Sequence, residues 1–187
     1  MSSHHIVREK QEPALYIHQL GNFDEEHLGQ LLEWSPSLIV SSSEFEKVIS
    51  LGLKVDIVVN PEDSIIFQEN TKTITTDNSD MNSVLEYLIS EGYPAVNLID
   101  SDGDFQSFKD YISQINIVLF TGKYKSYTIK SGFKVWKPWG TLFKISDDQE
   151  FKYSNLEALE TGEYRVAHDG FVEFLFSHPY LFITETL

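Results

Sequence analysis

Val55-Asp56-Ile57-Val58-Val59-Asn60-Pro61-Glu62-Asp63-Ser64 is an apolar strand running into an acidic turn, and Asp77-Asn78-Ser79-Asp80 then opens an amphipathic helix. Open α/β folds hold a divalent metal against a phosphate with carboxylates placed at the end of one strand and at the mouth of the next α/β unit. The helix is the clearest in the chain. Met81, Val84, Leu85, Leu88 and Ile89 recur at i, i+3, i+4, i+7 and i+8, and Gly92 stands where a left-handed residue ends a helix.

The same alternation extends outward from this segment. Residues 14–17 read as a strand, followed by a helix from Asp24 with Leu28, Leu31 and Leu32 on one face. Residues 37–40 are a second strand, Phe45, Val48 and Ile49 mark a short helix, and residues 55–59 are a third strand. Residues 95–99 are a buried strand, followed by a helix carrying Phe105, Phe108 and Ile112, and residues 115–120 close the region. This predicts an α/β domain over residues 1–122, Rossmann-like, with a mostly parallel sheet and helices on both faces.

After Gly122 the period falls to two. Residues 124–129, 133–136, 141–145, 164–167, 171–176 and 180–184 read as short strands punctuated by Gly132, Pro138, Gly140, Gly170 and Pro179. Residues 123–187 are therefore expected to form a small all-β sandwich.

Composition limits the function classes. The 187 residues are 41% hydrophobic and 23% charged, which is globular composition. No apolar run approaches the roughly 18 residues of a membrane span, and the first residues lack a secretory signature, so a cytoplasmic protein is expected. Cysteine is absent, which removes thiolate nucleophiles and thiolate metal sites. The net charge of −15 argues against nucleic acid as a partner, because phosphate neutralisation needs clustered Lys and Arg. Self-repulsion that favours solubility accounts for most of that charge.

The order of an α/β domain and then a β-sandwich resembles the thiamine pyrophosphokinase family. Residues 53–59 followed by Asp63-Ser64 look like its Pro-Asp-hydrophobic-Gly-Asp-x-Asp-Ser segment, and Asp77-Asn78-Ser79-Asp80 resembles its Asp-x-Thr-Asp helix start. Residues 91–98 match the strand before its catalytic loop, and Ala167-His168-Asp169-Gly170-Phe171-Val172 resembles the turn before its last hairpin. Residues 2–15 and 32–36 resemble one bacterial branch of the family.

The resemblance implies transfer of a pyrophosphoryl group from ATP to thiamine with Mg²⁺, in a homodimer whose site lies between the α/β domain of one subunit and the sandwich of another. It also implies the roles of the two regions, catalytic-like for 1–122 and thiamine-binding-like for 123–187. Asp63, Asp77 and Asp80 are the implied metal ligands, with Ser64, Ser79 and Gly103 as nucleotide or metal contacts.

The departures are as specific as the matches. The family's Gly-Asp pair is Asn60-Pro61, and proline neither ligates a cation nor offers an N–H to phosphate. The Gly-Gly-Arg-x-Asp-His loop is Asp100-Ser101-Asp102-Gly103-Asp104-Phe105-Gln106-Ser107-Phe108, in which Gly103 alone fits. The turn after the second strand is Ser41-Ser42-Ser43, and a Ser-Asn pair that helps hold thiamine is replaced around residues 162–165. Residues 56–110 hold twelve acids against Lys72 and Lys109. One uncompensated like-charge contact near 4 Å costs about 4 kcal/mol at an effective dielectric of about 20. These losses predict a homologue with lost or strongly reduced catalysis and no assignable catalytic residue; the alternative is an active, divergent Mg²⁺-dependent enzyme.

A third reading is a divalent-metal module built on residues 100–104. An EF-hand loop wants Gly at position six and Glu at twelve, where Phe105 and Tyr111 stand, and a solvated turn with Asp104 as N-cap fits as well. His4, His5, His18, His27, His168 and His178 show no metal-ligand spacing apart from the adjacent pair. Trp136 and Trp139, in Trp136-Lys137-Pro138-Trp139-Gly140, are the best candidates to stack a ligand ring, with core packing as the rival reading.

Overall fold

A computed structural model describes residues 12–62, 66–145, 150–160 and 162–187. The chain divides into two compact units, Met1–Gly122 and Lys123–Leu187.

In the first unit six strands, β1 (Ala14–Gln19), β2 (Leu38–Ser41), β3 (Ile57–Val59), β4 (Lys72–Ile74), β5 (Ala95–Asp100) and β6 (Asn116–Thr121), lie in the order β4-β3-β2-β1-β5-β6. Every pair is parallel. Three helices connect them: α1 (Glu25–Leu32), α2 (Phe45–Ser50) and α3 (Asp80–Ser90). Asp24 caps α1 by accepting from the amides of Glu26 and His27. Gly92, at φ 76°, ends α3 with the amides of Gly92 and Tyr93 bonded to the carbonyls of Ile89 and Leu88. Leu15, Ile17, Val40, Val58 and Ile99 pack with Leu28 of α1 and with Phe45 and Val48 of α2. The opposite parity, Tyr16, Ile39, Val59 and Leu98, is buried as well, so the strands read as continuous apolar runs.

The expected Rossmann-like unit with helices on both faces is corrected. Fourteen strands against three α-helices make the described chain mostly β. Among the described residues no helix joins β3 to β4, and the connection from β5 to β6 holds a single 3₁₀ turn, Phe105–Phe108, in place of the expected helix. The 3₁₀ geometry eclipses residues at i and i+3, which sets Phe105 and Phe108 edge to face at 6.1 Å. Ser107 Oγ donates to the Asp104 carbonyl at 2.6 Å, a local bond that competes with helix propagation.

The second unit has eight strands: β7 (Tyr124–Ile129), β8 (Phe133–Lys137), β9 (Leu142–Ile145), β10 (Phe151–Ser154), β11 (Leu156–Ala158), β12 (Glu163–Val166), β13 (Gly170–Phe176) and β14 (Leu181–Thr186). They form antiparallel sheets in the orders β11-β12-β9-β14-β7 and β10-β13-β8. One core unites them, with Phe143, Ile145, Val166 and Ile183 from the larger sheet against Val172 and Phe174 from the smaller. Asn155, at φ 58°, lets β10 and β11 join different sheets. Its side-chain amide then bonds both the N–H and the C=O of His168.

Glu185, 1% exposed, is the charged residue at the end of this apolar interior. Lys125 of β7 pairs with it at 3.0 Å, Tyr127 donates to it at 3.0 Å, and Lys137 of β8 pairs with its other oxygen. The Lys137 pair ties the smaller sheet to the larger, and burial together with the Glu185 charge pushes the Tyr127 phenol pKa well up. Removing one partner of a buried pair strands the rest, so Glu185→Ala is expected to lower unfolding free energy by about 3–5 kcal/mol in urea titrations. Replacing Glu185, Lys125 and Lys137 together with apolar residues, and Tyr127 with Phe, should cost far less.

Candidate functional site at the carboxyl ends of the parallel strands

In an open α/β sheet ligands enter where strand order reverses, beyond the carboxyl ends of the strands. Here that point lies between β1 and β5. The register shifts between Ile17 and Gln19, leaving His18 as a bulge residue at the switch point. Tyr16 and His18 share a strand face and bond at 3.0 Å between the phenol oxygen and Nδ1. The Tyr16 phenol is fully buried, and desolvation first, then the charges of Asp80 and Asp100, push its pKa far above the ordinary range. The Tyr16 phenol therefore stays protonated.

Two carboxylates and a tyrosine are thus brought to one place from β1, β5 and the start of α3. Asp80 does not stand free. Its Oδ1 accepts from Asn60 Nδ2 at 2.6 Å, and Asn60 Oδ1 accepts from the Thr76 amide at 2.8 Å. Asn60 itself sits at φ 47°. It takes the left-handed conformation for which glycine is the default and Asn the next choice. Thr76 Oγ1 continues the network to the Asn78 amide and to Ser83 Oγ.

The serines after β2 are tethers as well. Ser41 Oγ donates to the His18 carbonyl at 2.6 Å, Ser43 Oγ lies 3.2 Å from Ser41 Oγ, and Ser42 Oγ accepts from the Glu62 amide. The Ser101 amide bonds the Gln19 carbonyl, and Gly21, at φ 53°, lies so close that an added Cβ would stand 2.9 Å from the Ser101 Cβ. Lys47 of α2 donates to the Gly21 carbonyl at 2.9 Å and lies 4.0 Å from Glu44.

The residues singled out from the sequence fall as follows. Asp63 and Ser64 lie outside the described residues, as does the segment before Glu12 with His4 and His5. Asp77 is exposed, and Ser79 is the N-cap residue of α3 without a side-chain capping bond. Among the described residues no three His, Asp or Glu side chains are gathered to hold a metal ion. In residues 100–104 the carboxylates of Asp100 and Asp104 bond local amides. Asp100 Oδ1 accepts from the Asp102 amide, and Asp104 caps the 3₁₀ turn through the Gln106 amide. Gly103 is a packing residue, since an added Cβ would meet Leu119 Cδ1 at 3.0 Å and Asp100 Cβ at 3.1 Å.

In the second unit Trp136 and Trp139 are exposed, 54% and 67%, rather than core. Trp136 pairs across strands with Phe171, whose ring lies 5.1 Å from Lys134 Nζ. Tyr16 and Lys47 were missed by sequence reasoning; His18 was weighed there only for metal-ligand spacing, and Asn60 only as standing where the family resemblance places glycine.

No family model and no curated protein matches the chain. Solved structures do. The fold is that of thiamine pyrophosphokinases: the Bacillus subtilis enzyme superposes with a TM-score of 0.68 at 11% identity, over 94% of this chain and 99% of that one. Thiamin pyrophosphokinase of Geobacillus thermodenitrificans gives 0.68 at 11%, over 93% and 97%, and the yeast enzyme 0.62 at 9%, over 96% and 87%. Among the described residues no helix is long and apolar enough to cross a membrane.

The Tyr16 environment predicts alkaline lability. Its folded pKa is raised, so its contribution is intact below the unfolded value of about 10 and is lost as pH rises beyond it. Stability should fall by up to about 1.4 kcal/mol per pH unit for this group above that point. Chemical denaturation across pH 8 to about 11.5 should show a shallower slope for Tyr16→Phe than for the parent chain.

Proposed function

We propose that this chain is a thiamine pyrophosphokinase-like protein in which ATP-dependent pyrophosphoryl transfer is lost or strongly reduced. The observation that carries the reading is the state of the carboxyl edge. Asp80 is bonded to Asn60, the Ser41 hydroxyl at the end of β2 to the His18 carbonyl of β1, the Ser42 hydroxyl to the Glu62 amide, and the turns after β1 and β5 touch through Gly21 and Ser101. A triphosphate needs open N–H donors, metal-bridging carboxylates and fixed cations. Here it meets Asp80 and Asp100 around a neutral phenol. Mg²⁺ would fall to Asp63, Asp77 and Asp80, with Pro61 where a further carboxylate is expected. The reading keeps the homodimer, the cytoplasm and a bacterial source that the sequence resemblance implies.

Lys47 favours a second reading, an active divergent enzyme in which this ammonium at Gly21 replaces the missing arginine. An AMP-release assay with ATP, Mg²⁺ and thiamine separates the two. On the proposed reading, turnover falls at least about 10³-fold below that of the B. subtilis enzyme assayed beside it, in line with loss of positioned phosphate contacts. ATP–Mg²⁺ then leaves the melting temperature unchanged, whereas a ligand at about 100 times its Kd adds about 2.7 kcal/mol. Thiamine-dependent AMP formation that is abolished by Lys47→Met would establish the second reading and end the first.

A further inference from the structure

The second unit contains a cavity of about 680 Å³, within the range of small-molecule sites and independent of the carboxyl edge discussed above. Its walls are Phe151, Tyr164, Leu175 and Phe176, with Glu150 and Lys152 beside them. It therefore sits at the margin of the sandwich, where β10 and β13 of the smaller sheet meet β12 of the larger.

The walls are held in place before any ligand arrives. Phe151 and Tyr164 meet edge to face at 5.5 Å, and Tyr153 braces both, at 5.8 Å and 5.2 Å. Phe176 is stacked on His178 at 4.5 Å and 17°, and His178 is fixed in turn by donating from Nδ1 to the Tyr180 carbonyl at 2.7 Å. Rings already pinned by other rings lose little freedom on binding, which is where a preformed site gains affinity. A further ring can join such a cluster at the 4.5–7 Å spacings aromatic pairs prefer.

We propose that this cavity binds a neutral ligand built on a planar aromatic ring. The aromatic and aliphatic walls select the ring. Among the described lining residues Glu150 and Lys152 carry opposed charges, so a cationic or an anionic substituent that gains one as a partner meets the other as a like charge.

The test titrates the ¹⁵N-labelled full chain with indole, tryptamine and indole-3-acetate, following backbone amides. Indole should give saturable shifts confined to Phe151, Lys152, Leu175, Phe176 and their neighbours, and should bind at least about threefold more tightly than either charged analogue. Leu175→Asp, at a position 47% exposed, should weaken indole about tenfold or more at an unchanged melting temperature. Lys152→Glu, also at an exposed position, should swing the preference toward tryptamine. Absence of saturable shifts, shifts scattered over both units, tighter binding of a charged analogue by the parent chain, or indifference to both variants would each overturn the proposal.

Discussion

Backbone contact between the turn after β1 and the turn after β5 sets what the carboxyl edge of the parallel sheet can admit. At a switch point the strands normally diverge and leave a crevice. Here the Ser101 amide bonds the Gln19 carbonyl past the bulge at His18, and Gly21 is pressed on Ser101 at a distance that no Cβ would tolerate. Gly103 repeats the pattern one turn later, against Asp100 and Leu119. Glycine at these two places does not free backbone for a phosphate; it lets protein approach protein.

The remaining polar groups of the edge follow from that closure. Several side-chain and backbone groups of the edge are satisfied by one another. Asn60 holds Asp80 and Thr76, Ser41 holds His18, and Ser42 holds Glu62. A nucleotide would have to break such bonds while facing two carboxylates across Tyr16, and each such bond contributes about 0.5–1.5 kcal/mol. The proposed loss of catalysis thus rests on geometry as well as on charge. Lys47 is the feature that pulls the other way, yet its ammonium is already engaged by the Gly21 carbonyl and lies close to Glu44.

Much of the architecture was legible because burial imposes period on sequence. The i, i+3, i+4 series from Met81 gave α3, and Gly92 gave its end; the alternation after Gly122 gave most strands of the second unit. The elements missed carry no such period. β4 is three residues with two exposed, and β10 and β11 are largely exposed strands separated only by the left-handed Asn155. Phe105 and Phe108 fit a 3₁₀ turn as well as an α-helix, since both place i and i+3 together, and the sequence pattern favoured the wrong one. At the site, Asp80 was legible as the start of a helix, but its partner Asn60 and the neighbouring Tyr16 were not. Their meeting depends on parallel strands that are distant in sequence, and nothing local announces it. Trp136 and Trp139 show the converse, apolar residues whose exposure no local pattern reveals.

Isothermal titration of the full chain with ATP in the presence of Mg²⁺ asks the central question without requiring turnover. The account predicts no saturable heat up to about 1 mM nucleotide, the upper end of ordinary KM values. A one-site isotherm with a Kd in the micromolar range, weakened on replacing Asp80 by Asn or Lys47 by Met, would show that the edge opens to a triphosphate and would contradict it.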